Sequence, residues 1–147
     1  MSDCISQELL EGMEYSIDSL CDMDGKVVCV VIRERMAVES GISVKGRVIS
    51  DPEIERHVRQ ILNAQHFIGP VDIQCFKTEK GIFFTEINPR IAGGLSLSMA
   101  ATGNWFSWIK QMLDGKIVKP VSTKTGLVMM RTYEDVIVNE DDLIKEY

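Results

Sequence analysis

Two neighbouring segments with alternating apolar residues, 69–77 and 83–90, constrain the fold of this chain more than any other feature. The first opens at a Gly-Pro break, and the second ends at an Asn-Pro turn signal. Between them, Thr78-Glu79-Lys80-Gly81 suits a three-residue loop in which Gly81 takes the left-handed conformation. The sequence therefore predicts an antiparallel β-hairpin.

Oxygen-bearing side chains alternate along both strands of this predicted hairpin: Asp72, Gln74, Glu86 and Asn88. Residues two apart on a strand point to the same face. We expect Thr78 to pair with Ile82, and this register sets Gln74 opposite Glu86. It also sets Asp72 opposite Asn88, with Cβ atoms about 5 Å apart. All four side chains are therefore predicted to share one face.

This face suits a divalent cation bound together with phosphate. Hard cations such as Mg²⁺ take oxygen ligands and keep the phosphates of a substrate as the rest of their shell. Arg90 follows directly and would add a positive charge. The alternative interpretation is a strand-end glutamate, an Asn-Pro turn and a surface arginine with no common role.

The other segments predict an α+β fold, an antiparallel sheet flanked by helices. Further strands are predicted at residues 4–10, 13–22, 26–37, 40–49 and 126–138, the last with its buried part at 127–130. One helix is expected to begin near Ser50 or Asp51, with Pro52 at its first position. Two more are expected at residues 95–101 and 104–115. Strands joined mostly by hairpins are typical of this fold class.

Composition narrows the range of partners. At 147 residues the chain has the length of one domain. Its net charge of −6 provides no basic surface for nucleic acid. No leader and no long apolar run is written in it, so we expect no membrane partner. Cys21, Cys29 and Cys75 lie in apolar runs and are expected to be buried thiols, which favours a cytoplasmic protein.

The hairpin residues carry a resemblance to a known family. The pattern Gly69-x-x-Asp72-Ile73-Gln74-x-Phe76, followed by Glu86-Ile87-Asn88-Pro89-Arg90, resembles the ATP-grasp ligases, especially the large-chain type of carbamoyl-phosphate synthase. The resemblance implies that Gln74, Glu86 and Asn88 hold Mg²⁺ or Mn²⁺ between the phosphates of ATP. It implies that Arg90 contacts phosphate and acts in catalysis.

The N-terminal residues 7–18 look like the hinge of the same family. There the resemblance implies that Glu8 and Leu10 contact the adenine and that Glu14 binds the ribose. It also implies that residues 1–147 form the C-terminal subdomain of an ATP-grasp enzyme. An upstream lobe, with its flexible glycine-rich loop and phosphate-clamping lysine, is expected in cis or in trans.

The function implied is ATP-dependent joining of a small carboxylate to an amine through an acyl phosphate. Arg33, Lys45 and Arg47 are the remaining candidates for holding an anionic substrate. One alternative is a degenerate ATP-grasp module that binds nucleotide or a partner without turnover. Another is an α+β interaction domain with no nucleotide site.

Overall fold

A computed structural model describes residue 4 and residues 6–137 of the chain. In this part of the chain the strands are β1 (Met13–Cys21), β2 (Val27–Glu39), β3 (Ile42–Ile49), β4 (Gly69–Thr78), β5 (Gly81–Asn88) and β6 (Val128–Met130). The helices are α1 (Pro52–Gln65), α2 (Leu95–Thr102) and α3 (Trp105–Leu113). The strands form one sheet in the order β5-β4-β1-β2-β3-β6, and every neighbouring pair is antiparallel. The predicted α+β antiparallel sheet with flanking helices is confirmed.

Helix α1 covers one face of the sheet. Asp51 caps it by accepting hydrogen bonds from the backbone N–H groups of Glu53 and Ile54, and Pro52 occupies the first position as predicted. Its apolar stripe is fully buried against inward-facing residues of β1, β2 and β4: Ile54, Val58 and Leu62. Burial of a side chain of this size contributes about 1.5–3 kcal/mol.

Helices α2 and α3 cover part of the opposite face. Asn104 accepts a hydrogen bond from the backbone N–H of Ser107 and so begins α3, as predicted. Trp105 is 1% exposed, and its indole N–H donates to Thr102 Oγ1 at 2.8 Å. The two helices pack on Leu20, Val31 and Val48 and their neighbours, and they leave the polar end of this face uncovered.

Two strand predictions were wrong. Residue 4 and residues 6–10 form no strand, because this segment lies outside the sheet and is largely exposed. The last strand spans only Val128–Met130, since only these residues pair with β3; position 138 of the prediction lies outside the described residues. Val128 and Met130 are exposed rather than buried, because β6 is the edge strand of the sheet.

Cys21, Cys29 and Cys75 are buried thiols, as predicted. Burial raises the pKa of Cys29 and of Cys75 to about 12, so both are held as neutral thiols. None of the helices formed by the described residues is long and apolar enough to cross a membrane.

Candidate functional site

The β4–β5 hairpin has the predicted cross-strand pairs, reached through a different register. Thr78 pairs with Gly81 rather than with Ile82, so the connection is one residue shorter than expected. A β-bulge then inserts one extra residue, Thr85, before Glu86. Beyond the bulge Gln74 lies opposite Glu86, as predicted.

The second predicted pair is also present, and the hairpin extends into a grid on one face of the sheet. Asp72 lies opposite Asn88. Three rows of aligned residues cross β1, β4 and β5: Glu14, Phe76 and Phe83; then Ser16, Gln74 and Glu86; then Asp18, Asp72 and Asn88. Successive rows lie about 7 Å apart along the strands.

A buried ion pair fixes one side of the third row. Arg33 on β2 donates from Nε and Nη2 to the two carboxylate oxygens of Asp18, at 2.9 and 2.8 Å. Both side chains are 3% exposed. The hydroxyl of Ser98 on α2 donates to the same carboxylate. The bidentate pair holds β1 to β2 in a specific geometry, and the hydroxyl of Ser98 joins α2 to the same carboxylate.

Gly94, just before α2, lies against the guanidinium of this pair. A Cβ at Gly94 would come within 2.1 Å of Arg33 Nη1, whereas a Cβ at Gly93 would meet nothing within 4 Å. The loop that follows Arg90 can approach the sheet this closely only because residue 94 has no side chain.

Asp72 is the second carboxylate in this row. It is 4% exposed, and its Oδ1 has no hydrogen-bond partner among the described residues. Burial raises the pKa of Asp72, and the adjacent charge of Asp18 raises it further, against the lowering effects of Arg33, a hydrogen bond from Gln74, and Arg90. A buried carboxylate oxygen without a partner is costly and is a mark of a functional site.

In the middle row Gln74 is held by an arginine that the sequence analysis did not select. Arg35 Nη1 donates to Gln74 Oε1 at 3.1 Å, and the same nitrogen is ion-paired with Glu14. Arg35 Nη2 also donates to the carbonyl of Gly41 at 2.7 Å. Glu14 and Gln74, predicted as ribose and metal residues, are therefore both oriented by Arg35.

The other predicted metal and phosphate residues are open to solvent. Glu86 is exposed and makes no hydrogen bond or ion pair with any described residue. Asn88 is half-buried, and its Nδ2 has no partner in the described part of the chain. Arg90 is exposed and donates from Nη1 to the carbonyl of Ile91 at 3.1 Å.

The predicted adenine residues line a separate cleft at the outer end of the grid. This cleft has a volume of about 680 Å³, and Glu8 and Leu10 face Phe83 and the β4–β5 loop across it. Glu8 Oε1 lies 3.8 Å from Lys80 Nζ. Gly12 allows the backbone to approach closely, because a Cβ there would lie 2.4 Å from the carbonyl oxygen of Lys77.

Comparison with known proteins assigns the chain to a family. Residues 1–135 match the family described as ATP-grasp in the biosynthetic pathway with Ter operon. The chain belongs to this ATP-grasp family. The resemblance inferred from the hairpin residues is thereby confirmed.

Relatives with this fold are larger than the ATP-grasp chain described here. The carbamoyl phosphate synthase large chain of Agathobacter rectalis is 24% identical over 133 residues, which is 84% of this chain and 12% of that protein. The N5-carboxyaminoimidazole synthetase of Staphylococcus aureus is 20% identical with a TM-score of 0.66, over 80% of this chain and 34% of that one.

A second solved structure with this fold contains nucleotide. The biotin carboxylase domain of 2-oxoglutarate carboxylase from Hydrogenobacter thermophilus, in complex with MgADP, ADP and bicarbonate, is 16% identical with a TM-score of 0.60. The match covers 76% of this chain and 26% of that one. At these identities the two solved structures establish the ATP-grasp fold, and the chain spans only a minor part of each protein.

The three residues predicted to hold an anionic substrate have different surroundings in this fold. Arg33 is buried and paired with Asp18. Arg47 donates to Glu34 at 2.6 Å on the exposed side of β3. Lys45 is half-buried on the same strand, and no described residue forms an ion pair with it. Sequence reasoning offered no signal for Asp18, Arg35 or Ser98, because each acts through a partner distant along the chain.

Proposed function

We propose that this chain is the ATP- and Mg²⁺-binding half of an ATP-grasp ligase that joins a carboxylate to an amine. The observation that carries the proposal is the order of the three rows. The cleft of Glu8 and Leu10 lies at one end, the row of Glu14 follows, and the row of Gln74 and Glu86 comes next. Adenine, ribose and phosphates of one nucleotide would lie along this line in that order.

The hairpin residues fit a divalent cation of the Mg²⁺ or Mn²⁺ kind. Glu86 offers a carboxylate without a protein partner, and Asn88 has an amide whose nitrogen is unpaired. Gln74 would join them after exchanging the hydrogen bond that it now accepts from Arg35. Two amides and one carboxylate leave room for phosphate oxygens in the shell. When bound, such an ion would spread the charge that develops during phosphoryl transfer.

The remaining residues would position the reacting groups. Arg90, exposed directly after the hairpin, would supply fixed positive charge to the transferred phosphoryl group. Glu8 and Leu10 would contact the adenine through the backbone of the hinge. Glu14, held by Arg35, would accept hydrogen bonds from the ribose hydroxyls.

The reaction that this arrangement suits has two steps. A carboxylate oxygen of the substrate attacks the γ-phosphorus of ATP, and the bond to the bridging oxygen breaks, giving an acyl phosphate and ADP. An amine then attacks the acyl carbon, loses a proton and displaces inorganic phosphate. The product is a new carbon–nitrogen bond.

The domain arrangement is part of the proposal. We take residues 1–147 as the C-terminal subdomain, completed by an upstream lobe in cis or in trans that closes over the nucleotide. That the chain covers 34% of the Staphylococcus aureus synthetase supports this. The buried thiols Cys21, Cys29 and Cys75 suit a reducing compartment such as the cytoplasm.

One observation favours a second candidate, a degenerate module that binds nucleotide without turnover. Gln74 Oε1 already accepts a hydrogen bond from Arg35. A weak metal site would support binding but slow phosphoryl transfer.

The thermal midpoint of this chain with and without Mg²⁺-ADP tests the proposed function. A ligand that binds only the native state stabilises it by about 2.7 kcal/mol at a hundredfold excess over its dissociation constant. We expect a Mg²⁺-dependent rise in wild type that Glu86→Gln loses. Glu55→Gln, the same change on α1 at the opposite face, should keep the rise. No rise in wild type at about 10 mM Mg²⁺-ADP would contradict the proposal.

A further inference from the structure

A second cleft lies over the middle and third rows of the grid, since Ser16, Gln74 and Asp72 all line it. It has a volume of about 260 Å³, which suits a ligand the size of an amino acid. Its floor is the polar face of β1, β2 and β4. One wall is Gly41 of the β2–β3 turn with Ile42 and Ser43 at the start of β3, and the other is the loop of residues 90–94. The lining is mostly polar, with charged groups of both signs.

Most of the charges around this cleft already have protein partners. Arg33 is held by both oxygens of Asp18. Arg35 is held by Glu14, by Gln74 and by the carbonyl of Gly41. These contacts engage two arginines and two carboxylates, so a ligand that took over one of these bonds would break a bidentate or shared contact.

Two charged groups remain, and they have opposite signs. Asp72 lines the floor, 4% exposed, and its Oδ1 has no hydrogen-bond partner among the described residues. Arg90 lies at the rim, and its guanidinium donates only to the carbonyl of Ile91 within the described part of the chain. The cleft therefore presents one carboxylate with an unpartnered oxygen on its floor and one guanidinium group at its rim.

We propose that this cleft binds a small zwitterionic amino acid, with its ammonium group on Asp72 and its carboxylate toward Arg90. An ammonium group has three N–H donors, and one of them would satisfy the Asp72 oxygen that now lacks a partner. The carboxylate would then lie at the end of the hairpin beside Asn88, on the side of the phosphates. This inference rests on the proposed function, because it names the substrate class of the same site.

A metal ion explains the floor of the cleft less well. A divalent cation at Asp72 would find no second carboxylate in the lining of the cleft, whereas an ammonium group needs only hydrogen-bond acceptors. An anion alone would leave the Asp72 oxygen unpaired and would be repelled by its charge. A group that carries both signs meets both requirements.

Isothermal titration of the full chain tests this inference with matched pairs of small molecules. Glycine, L-alanine and L-glutamate are compared with acetate, propionate and glutarate, which have the same carbon skeletons but no amino group. A charge-assisted hydrogen bond in a desolvated site corresponds to about tenfold or more in affinity. We expect at least one amino acid to bind that much more tightly than its partner, and Asp72→Asn to abolish the difference.

Asp24→Asn is the matched control, since Asp24 is an exposed turn residue paired with Lys26 and remote from the cleft. It should retain the discrimination. The inference would be overturned if the wild type bound every amino acid and its matched acid equally well, or bound no amino acid at all. It would also be overturned if Asp72→Asn still preferred amino acids over the matched acids. Urea unfolding of Asp72→Asn tests for a structural role. Because one oxygen of this carboxylate is buried without a partner, replacing it with an amide should leave the free energy of unfolding unchanged or raise it.

Titration of wild type with Mg²⁺-ADP in the same series distinguishes this inference from the proposed function. Nucleotide binding without amino-acid discrimination would overturn only the inference. Discrimination without nucleotide binding would support the cleft and contradict the nucleotide site.

Discussion

Gln74 and Glu86 lie opposite each other on β4 and β5 because Thr85 forms a β-bulge between Phe84 and Glu86. The short loop at the tip pairs Phe84 with Cys75, so without the bulge Thr85 would take the place of Glu86. Bulges often re-aim side chains beside functional sites. Here the bulge sets the carboxylate on the face that carries Gln74.

Deletion of Thr85 tests this account of the register. Removing the extra residue leaves Phe84 next to Glu86, so a regular hairpin should keep Glu86 opposite Gln74. Backbone NOEs between β4 and β5 would report the pairing. Cross-peaks that place Glu86 opposite Ile73 would contradict it.

Removing one partner of the buried pair of Arg33 and Asp18 should strongly destabilise the fold. Replacing Arg33 with Met leaves the Asp18 carboxylate buried without its bidentate partner, and we expect a loss of about 3–5 kcal/mol in the free energy of unfolding. Lys26→Met is the control, because Lys26 and Asp24 form an exposed pair worth less than about 1 kcal/mol. Urea unfolding measures the free energy of unfolding of both variants. Similar losses in Arg33→Met and Lys26→Met would contradict the described burial of the Arg33–Asp18 pair.

Gly94 and Gly93 should respond differently to alanine. Gly94→Ala drives a methyl group into the guanidinium of Arg33, which Asp18 holds in place, so we expect a loss of about 1–3 kcal/mol. Gly93→Ala meets no atom within 4 Å and should be close to neutral. Thermal unfolding of the two variants provides the comparison. If Gly93→Ala were the more damaging change, the described approach of the loop to the sheet would be incorrect.

The cap of α1 should make stability depend on pH. Burial raises the pKa of Asp51, but hydrogen bonds from Lys77 and from the N–H groups of Ile54 and Glu53 outweigh burial and hold it below its ordinary 3.8. A depressed pKa means that the stabilisation is present above pH 3.8 and is lost as pH falls through the lower, folded-state value.

Two substitutions distinguish the helix-capping role of Asp51 from its ion pair with Lys77. Asp51→Ala should cost about 0.5–2 kcal/mol at pH 7. Asp51→Asn can still accept the backbone hydrogen bonds, so it should cost less while removing this part of the pH dependence. Urea unfolding between pH 2 and 7 measures both. If the free energy of unfolding of Asp51→Asn depended on pH as steeply as that of the wild type, this role of the Asp51 charge would be contradicted.

Local pattern was sufficient to predict much of this structure. Alternation placed Gln74, Glu86 and Asn88 on one face, and cap residues such as Asp51 and Asn104 fixed where the helices begin. These features depend on residues close in sequence, where propensity and periodicity act directly.

The parts that could not be predicted depend on distant contacts. Ser98 reaches Asp18 across 80 positions, and Arg35 meets Gln74 across 39. No spacing pattern in the sequence predicts such pairs. The predicted loop was one residue too long, and the bulge at Thr85 was not predicted. These two errors shift the register in opposite directions, so the predicted pairing of Gln74 with Glu86 is still correct.

The position of the metal relative to the hairpin tests the central claim most directly. Mn²⁺ with ADP, added at substoichiometric amounts, broadens the NMR signals of backbone amides near the bound ion. We expect the broadening to centre on residues 72–74 and 86–90, to spare α1, and to disappear in Glu86→Gln while remaining in Glu55→Gln. Broadening centred elsewhere, or unchanged in Glu86→Gln, would contradict a nucleotide–metal site on this hairpin.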